Sequence, residues 1–149
     1  MSIETIAVFT DFSENADHAC ARARELAAAC RAALRVVHVV APVMNHLLAD
    51  GTEGVIPAST RQALMEDIQE RLTRLCQEGE AAGVDTDYAL LGGHVSTEIL
   101  DYLGREPIDM AVMGAFGLSG MGLVLFGSVA KRVAHRAPCS VMIVRDRAA

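Results

Sequence analysis

The feature that most constrains the fold is a regular alternation of short apolar runs with longer segments of helical periodicity. The runs are rich in β-branched and other apolar residues, which is typical of buried strands. The segments between them carry apolar residues three and four positions apart, which predicts amphipathic helices. This alternation indicates an α/β fold, in which a parallel sheet is covered by helices on both faces. Strands are predicted at Thr5–Thr10, Leu34–Pro42, Thr86–Gly93, Ile108–Gly114 and Cys139–Arg145, and helices from about Ala16, Ser59, Ser96 and Ser128.

Composition limits the classes of protein to which the chain can belong. Its 149 residues are 52% hydrophobic and 21% charged, which indicates one ordered globular domain over residues 1–149. No apolar run reaches the roughly 18 residues of a membrane-spanning helix, and the N-terminus lacks the basic segment of a signal peptide. The formal net charge of −6 disfavours binding to a nucleic-acid backbone. We therefore expect a soluble, cytoplasmic protein with no nucleic-acid partner and no membrane insertion.

Cysteines, histidines and one helix start can be interpreted locally. The four cysteines form no CxxC pair and have no histidine at metal-ligand spacing, so no metal site is predicted. Cys20 and Cys30 are expected on the buried face of the first helix. His38 lies among valines in the second strand, where a buried, hydrogen-bonded histidine is expected. Ser59 and Gln62 have the spacing of a capping box.

Polar or glycine residues follow two of the predicted strands. Asp11 comes directly after the first strand, and Gly114 ends the fourth. In open parallel sheets, ligands bind beyond the carboxyl ends of the strands, where the strand order reverses. If the first and fourth strands are neighbours, a binding crevice lies between Asp11 and Gly114.

The segment after the fourth strand has glycines at Gly114, Gly117 and Gly127, followed by Ser128 at a predicted helix start. A helix N-terminus has unpaired N–H groups and binds phosphate readily, while glycines let the backbone approach a ligand closely. The loop is neither a P-loop nor a dinucleotide fingerprint, because GxxxxGK[ST] is absent and the first strand is followed by TDFSEN. Taken alone, these glycines could either cradle a phosphate or only turn the chain.

Several motifs in order make the whole chain similar to one family. They are TDFSENADHA after the first strand, VVHVV in the second, EIL and IDMAVMG around the fourth, the spacing Gly114-x2-Gly117-x9-Gly127-Ser128, and APCSVMIVR at the end. With them the chain resembles the universal stress protein family. The resemblance implies a Rossmann-like fold of the adenine nucleotide alpha hydrolase type, with a five-stranded parallel sheet of order 3-2-1-4-5. It also implies a homodimer paired through the last strand, Val141–Val144.

The same resemblance implies ATP as the ligand, because one branch of the family binds ATP through the G-2x-G-9x-G-[S/T] pattern. Asp11 then corresponds to the acid that contacts the adenosine portion, and Val39 lines the adenine pocket. The ribose and phosphates are expected along Met113, Gly114, Ala115 and Gly117. Backbone N–H groups and a hydroxyl from Gly127, Ser128 and Val129 are expected to hold the phosphates.

The loop departs from the family pattern at three positions. Ala115 replaces a small hydroxyl residue, while Phe116 and Leu118 stand where basic residues are frequent. We therefore expect ATP to bind with weaker phosphate contacts, with Mg²⁺ able to enter on the phosphates.

The predicted function is that of an ATP-binding stress-response module that acts as a dimer. Alternatives are a slow ATP hydrolase and an interaction module that binds no nucleotide. Efficient phosphoryl transfer is disfavoured, because the loop has no lysine and no metal-holding acid. The apolar residues Leu118 to Phe126 could be recognised by an unknown protein partner.

Overall fold

The computed structural model describes residues 2–41, 58–116 and 127–145. Within these ranges the chain alternates between strand and helix. The elements are β1 Thr5–Phe9, α1 Glu14–Cys30, β2 Ala33–Val40, α2 Ala58–Ala81, β3 Thr86–Gly92, α3 Val95–Arg105, β4 Met110–Gly114, α4 Ser128–Arg136 and β5 Ser140–Val144.

The strands form one parallel sheet of order β3-β2-β1-β4-β5. This order confirms the prediction of a 3-2-1-4-5 sheet. β1 is central: the chain passes from it to β2 and β3 on one side and then crosses over to β4 and β5 on the other. The carboxyl end of β1 is therefore the switch point at which a parallel sheet offers a binding crevice.

Each face of the sheet is covered by its own pair of helices. One core joins α1 and α2 to the sheet through residues such as Ala19, Leu72 and Val36. The other joins α3 and α4 to the opposite face through residues such as Ile99, Val133 and Val37. The alternation of Val36 and Val37 between the two cores follows from the period of two in a strand, and it is why β2 is apolar on both faces.

Two local predictions are wrong. Ser59 does not cap α2, because the helix already includes Ala58, and Gln62 donates to Oε1 of Glu66 at 3.0 Å instead. Cys30 is exposed, whereas Cys20 is buried as predicted. α1 ends at Cys30 and Arg31 takes a left-handed conformation, so the buried stripe of the helix stops at Ala27, one turn before Cys30.

No helix in the described ranges is long and apolar enough to cross a bilayer. In the same ranges, no group of three or more metal-ligating side chains lies close enough together to hold a metal ion.

Candidate functional site

The strand register places the predicted site at one edge of the sheet. Phe9, the last residue of β1, is paired with Val37 of β2 and with Met113 of β4. The N–H of Thr10 still donates to the Val37 carbonyl at 2.9 Å, so pairing continues one residue beyond the strand. Asp11 consequently leaves the sheet between the carboxyl ends of β2 and β4.

The β1–α1 corner, residues 10–13, is built by short-range hydrogen bonds. The Thr10 hydroxyl accepts from the N–H of Phe12 at 3.0 Å, and Oδ1 of Asp11 accepts from the N–H of Ser13 at 3.0 Å. Ser13 then caps α1, because its Oγ accepts from the N–H of Ala16 at 3.2 Å. A carboxylate has about four acceptor positions, so Asp11 can accept the hydrogen bond from Ser13 and also accept hydrogen bonds from a ligand.

His38 joins this corner to β2. Its Nδ1 lies 2.7 Å from the Thr10 carbonyl oxygen, and its ring centroid lies 4.5 Å from that of Phe12. Burial lowers the pKa of His38, while the Thr10 hydrogen bond and the Asp11 carboxylate oppose that shift. The expected hydrogen bond of this histidine is confirmed, but the side chain is only partly buried. Its position beside Asp11 was not predicted. The sequence indicated it only through Val39, the adjacent residue, which was expected to line the adenine pocket.

Gly114 ends β4 where the sheet meets the start of α1. A Cβ atom at this position would lie 3.1 Å from the backbone C and O atoms of Asn15. That spacing is closer than ordinary van der Waals contact, so glycine fits here because it has no side chain. The flanking Met113 and Ala115 have buried side chains, which leaves mainly backbone atoms to face a ligand.

Both ends of the glycine loop are fixed to the sheet. The N–H of Ala115 donates to the Val144 carbonyl at 3.0 Å, and the Ala115 carbonyl accepts from the N–H of Gly127 at 2.7 Å. The N-terminus of α4 is thereby held against the carboxyl end of β4. Gly117 and the apolar residues Leu118 to Phe126 lie outside the described residues.

The start of α4 presents donors towards this edge. Gly127 is the N-cap, with φ −66° and ψ 156°, and its carbonyl accepts the first helical hydrogen bond from Lys131 at 3.0 Å. The N–H groups of Ser128 and Val129 precede that bond, so the helix itself supplies no acceptor for them. Together with the helix dipole they form a favourable site for an anion. Gly127 already donates to Ala115, so among the described residues Ser128 and Val129 are the next donors along this first turn.

A contact between helices fixes α4 laterally. Nη1 of Arg132 donates to Oγ of Ser96 at 3.1 Å, which joins the second turn of α4 to the first turn of α3. His94 stands at the N-cap of α3. Two adjacent helices therefore begin at the edge of the sheet where the candidate site lies.

The family model of the universal stress protein family matches residues 2–145 of the chain. The chain belongs to the universal stress protein family. Among its relatives, a universal stress protein of Thermus aquaticus is 34% identical over 144 residues, which cover 95% of this chain and 98% of the relative. The match extends over almost the full length of both proteins, so it includes every element that forms the site.

Solved structures of universal stress proteins have the same architecture. UspA from Lactobacillus plantarum superposes with a TM-score of 0.83 at 25% identity, and the match covers 97% of this chain and 99% of that one. A universal stress protein solved in complex with cAMP gives a TM-score of 0.70 at 26% identity, covering 97% and 98%. In the present chain, the edge of the sheet at the carboxyl ends of β1 and β4 combines the Asp11 carboxylate, the buried end of β4 and the N-terminus of α4.

Proposed function

We propose that this universal stress protein binds ATP at the carboxyl ends of β1 and β4, and that it acts as a nucleotide-dependent regulatory module in a stress response. The observation that carries the proposal is the 2.7 Å hydrogen bond between the N–H of Gly127 and the Ala115 carbonyl. It holds the first turn of α4 beside the end of β4, where the unpaired N–H groups can receive a phosphate. The relative solved with cAMP supports an adenine nucleotide as the class of ligand.

Each part of the nucleotide has a matching surface. The adenine base packs beside Val39, and the ribose hydroxyls donate to the Asp11 carboxylate. The phosphates run along the backbone of residues 113–117 to the N–H groups of Ser128 and Val129 and the exposed Ser128 hydroxyl. Mg²⁺, when present, is carried by the phosphate oxygens and neutralises part of their charge.

The expected affinity is moderate. Charge-assisted hydrogen bonds contribute about 1.5–3 kcal/mol each, and three or four of them support binding in the micromolar range, about −8 kcal/mol. Because Phe116 and Leu118 replace basic residues of the family pattern, the β- and γ-phosphates have few cations to contact. ATP and ADP should therefore bind only slightly more tightly than AMP.

Isothermal titration with ATP, ADP and AMP tests this proposal. A Gly127→Val variant has a backbone conformation that valine adopts without strain, but its side chain obstructs the approach to the helix start. We expect micromolar binding to the wild type and a loss of about thirtyfold or more in the variant, equivalent to about 2 kcal/mol. Gly104→Ala is the matched control, because an added Cβ there would meet no packing neighbour within 4 Å. No binding to the wild type at millimolar nucleotide would refute the proposal.

We further propose that the chain acts as a single domain and pairs with a second copy through β5, Val141–Val144. β5 is one of the two edge strands of the described sheet, and the side chains of Val141, Met142 and Ile143 are only partly buried. An edge strand can extend its sheet by pairing with another chain. The cytoplasmic location expected from the sequence stays a prediction.

A further inference from the structure

Phe12 has an unusual backbone conformation for an aromatic residue. Its φ of +63° lies in the left-handed region, where glycine is the ordinary choice and bulky side chains are rare. A residue persists in such a conformation only when its surroundings hold it there, and such residues cluster at functional sites. Phe12 directly follows Asp11, so whatever holds Phe12 also holds the Asp11 carboxylate in place.

Three contacts hold Phe12. Its ring lies 4.5 Å from the His38 ring, centroid to centroid, with an interplanar angle of 31°. The Arg71 guanidinium lies over the same ring, 5.5 Å from its centroid. The Phe12 N–H donates to the Thr10 hydroxyl at 3.0 Å. His38 is thus the β2 side chain that packs on the residue after Asp11.

His38 also holds the residue before Asp11. Its Nδ1 lies 2.7 Å from the Thr10 carbonyl oxygen. A carbonyl oxygen can only accept, so Nδ1 must carry the proton of this hydrogen bond. One imidazole ring therefore fixes the chain on both sides of Asp11, by a hydrogen bond before it and by ring packing after it.

We propose that His38 is a positioning residue for the nucleotide, acting through Thr10 and Phe12 to direct the Asp11 carboxylate at the ribose hydroxyls. This inference rests on the proposed function and assigns to His38 the part of the affinity that depends on the ribose. His38 itself lies under the corner and does not contact the nucleotide. Its loss should weaken only those contacts that Asp11 makes.

Nucleotides with and without ribose hydroxyls test the proposal. In the wild type, ATP should bind about tenfold more tightly than 2′,3′-dideoxy-ATP, because the latter cannot donate to Asp11. His38→Leu removes the Nδ1 donor and should reduce this ratio to within about twofold. Asp11→Ala gives the ratio expected when the carboxylate is absent. His38→Asn keeps a donor near the position of Nδ1 and should retain most of the preference.

The outcomes separate this inference from the proposed function. If the wild type binds neither nucleotide, the proposed function fails and the role of His38 fails with it. If the wild type prefers ATP and His38→Leu weakens both nucleotides by the same factor, or neither, the proposed function stands and the positioning role is refuted. A histidine that only stabilised the fold would, when replaced, weaken the binding of both nucleotides by the same factor.

A measurement on the wild type guards against a variant that does not fold. Nitrogen-15 spectra of the imidazole ring at neutral pH should show the His38 proton on Nδ1, both without nucleotide and with saturating ATP. A proton on Nε2 alone would contradict the hydrogen bond to Thr10 and overturn the proposal.

Discussion

At the scale of single residues, the positions of some groups in the candidate site could be predicted from the sequence, and those of others could not. The places of Asp11 and Gly114 at strand ends and of Ser128 at a helix start could be predicted, because they depend on local patterns; their role in binding stays a prediction. The contact of His38 with Thr10 could not be predicted, because it joins residues 28 positions apart. Cys30 was wrongly predicted on the buried face of α1, because helical periodicity does not show where along the helix its contact with the sheet ends.

The cysteines should differ in reactivity. The thiolate is the reactive form, and burial raises the pKa of Cys20 to about 12 and that of Cys76 to about 11. Cys30 is exposed, so iodoacetamide at neutral pH should modify it first, as followed by peptide mass spectrometry. Cys30→Ser should remove the fast phase. Fast modification of Cys20 in the folded protein would contradict the described packing of α1.

His38 should make stability depend on pH. Its pKa is lowered from 6.5 in the folded protein, mainly by burial, so the unfolded chain takes up the proton first as the pH falls. The contribution of neutral His38 to the free energy of unfolding is therefore complete above pH 6.5. It is lost as the pH falls towards the lowered pKa.

Urea unfolding at several values between about pH 7.5 and 5.5 measures this dependence. The wild type should lose more stability on acidification than His38→Asn, because the variant lacks the titrating group. If the free energies of unfolding of the two proteins decreased equally on acidification, His38 would not be the source of the pH dependence.

At the scale of elements, the bounds of helices and strands followed the sequence closely. Periodicity predicted all nine described elements, and the start of β4 shifted from Ile108 to Met110. The preceding Asp109 carboxylate accepts from the N–H groups of Glu4 and Thr5, which joins the residue before β4 to the start of β1. α2 ends at Ala81 between two glycines of different roles. Gly83 has a positive φ after the helix, whereas Gly79 lies buried within it.

Gly79 should be essential for packing α2 on β3. A Cβ atom there would overlap Oγ1 of Thr86 and lie 2.8 Å from its Cβ, so the helix and strand would have to separate. Gly79→Ala should destabilise the fold by about 2 kcal/mol or more, as measured by urea unfolding.

Gly104 of α3 is the matched control, because no atom lies within 4 Å of the position of its added Cβ. Gly104→Ala should stabilise the protein by about 0.5–1 kcal/mol through helix propensity. Equal effects of the two alanines would contradict the close approach of α2 to β3.

At the scale of the whole molecule, the strand order creates both the crevice and the exposed edges. The alternation of strand and helix indicates a parallel sheet, but it leaves the order open. The order was predicted from the family resemblance, and the structure confirms it. Contacts with a second copy or with ligand cannot be derived from one chain's periodicity, since they depend on surfaces that the fold leaves unpaired.

Pairing through β5 predicts a particle of twice the 15.9 kDa chain mass in sedimentation equilibrium. Met142→Lys places a charge on this edge and should shift the protein towards monomer. Tyr88→Lys, at an exposed residue on the opposite edge strand, should leave the dimer intact. A monomeric wild type, or dissociation by Tyr88→Lys alone, would contradict pairing through β5.

The most direct test of the account is to map where ATP binds on the isotopically labelled protein by following backbone amide shifts during a titration. We predict that the largest shifts occur at Asp11, Gly114, Ser128 and Val129, with AMP reproducing those at Asp11. Shifts confined to the far end of the sheet or to the outer surface of α2, or no shifts at millimolar ATP, would contradict a nucleotide site at the carboxyl ends of β1 and β4.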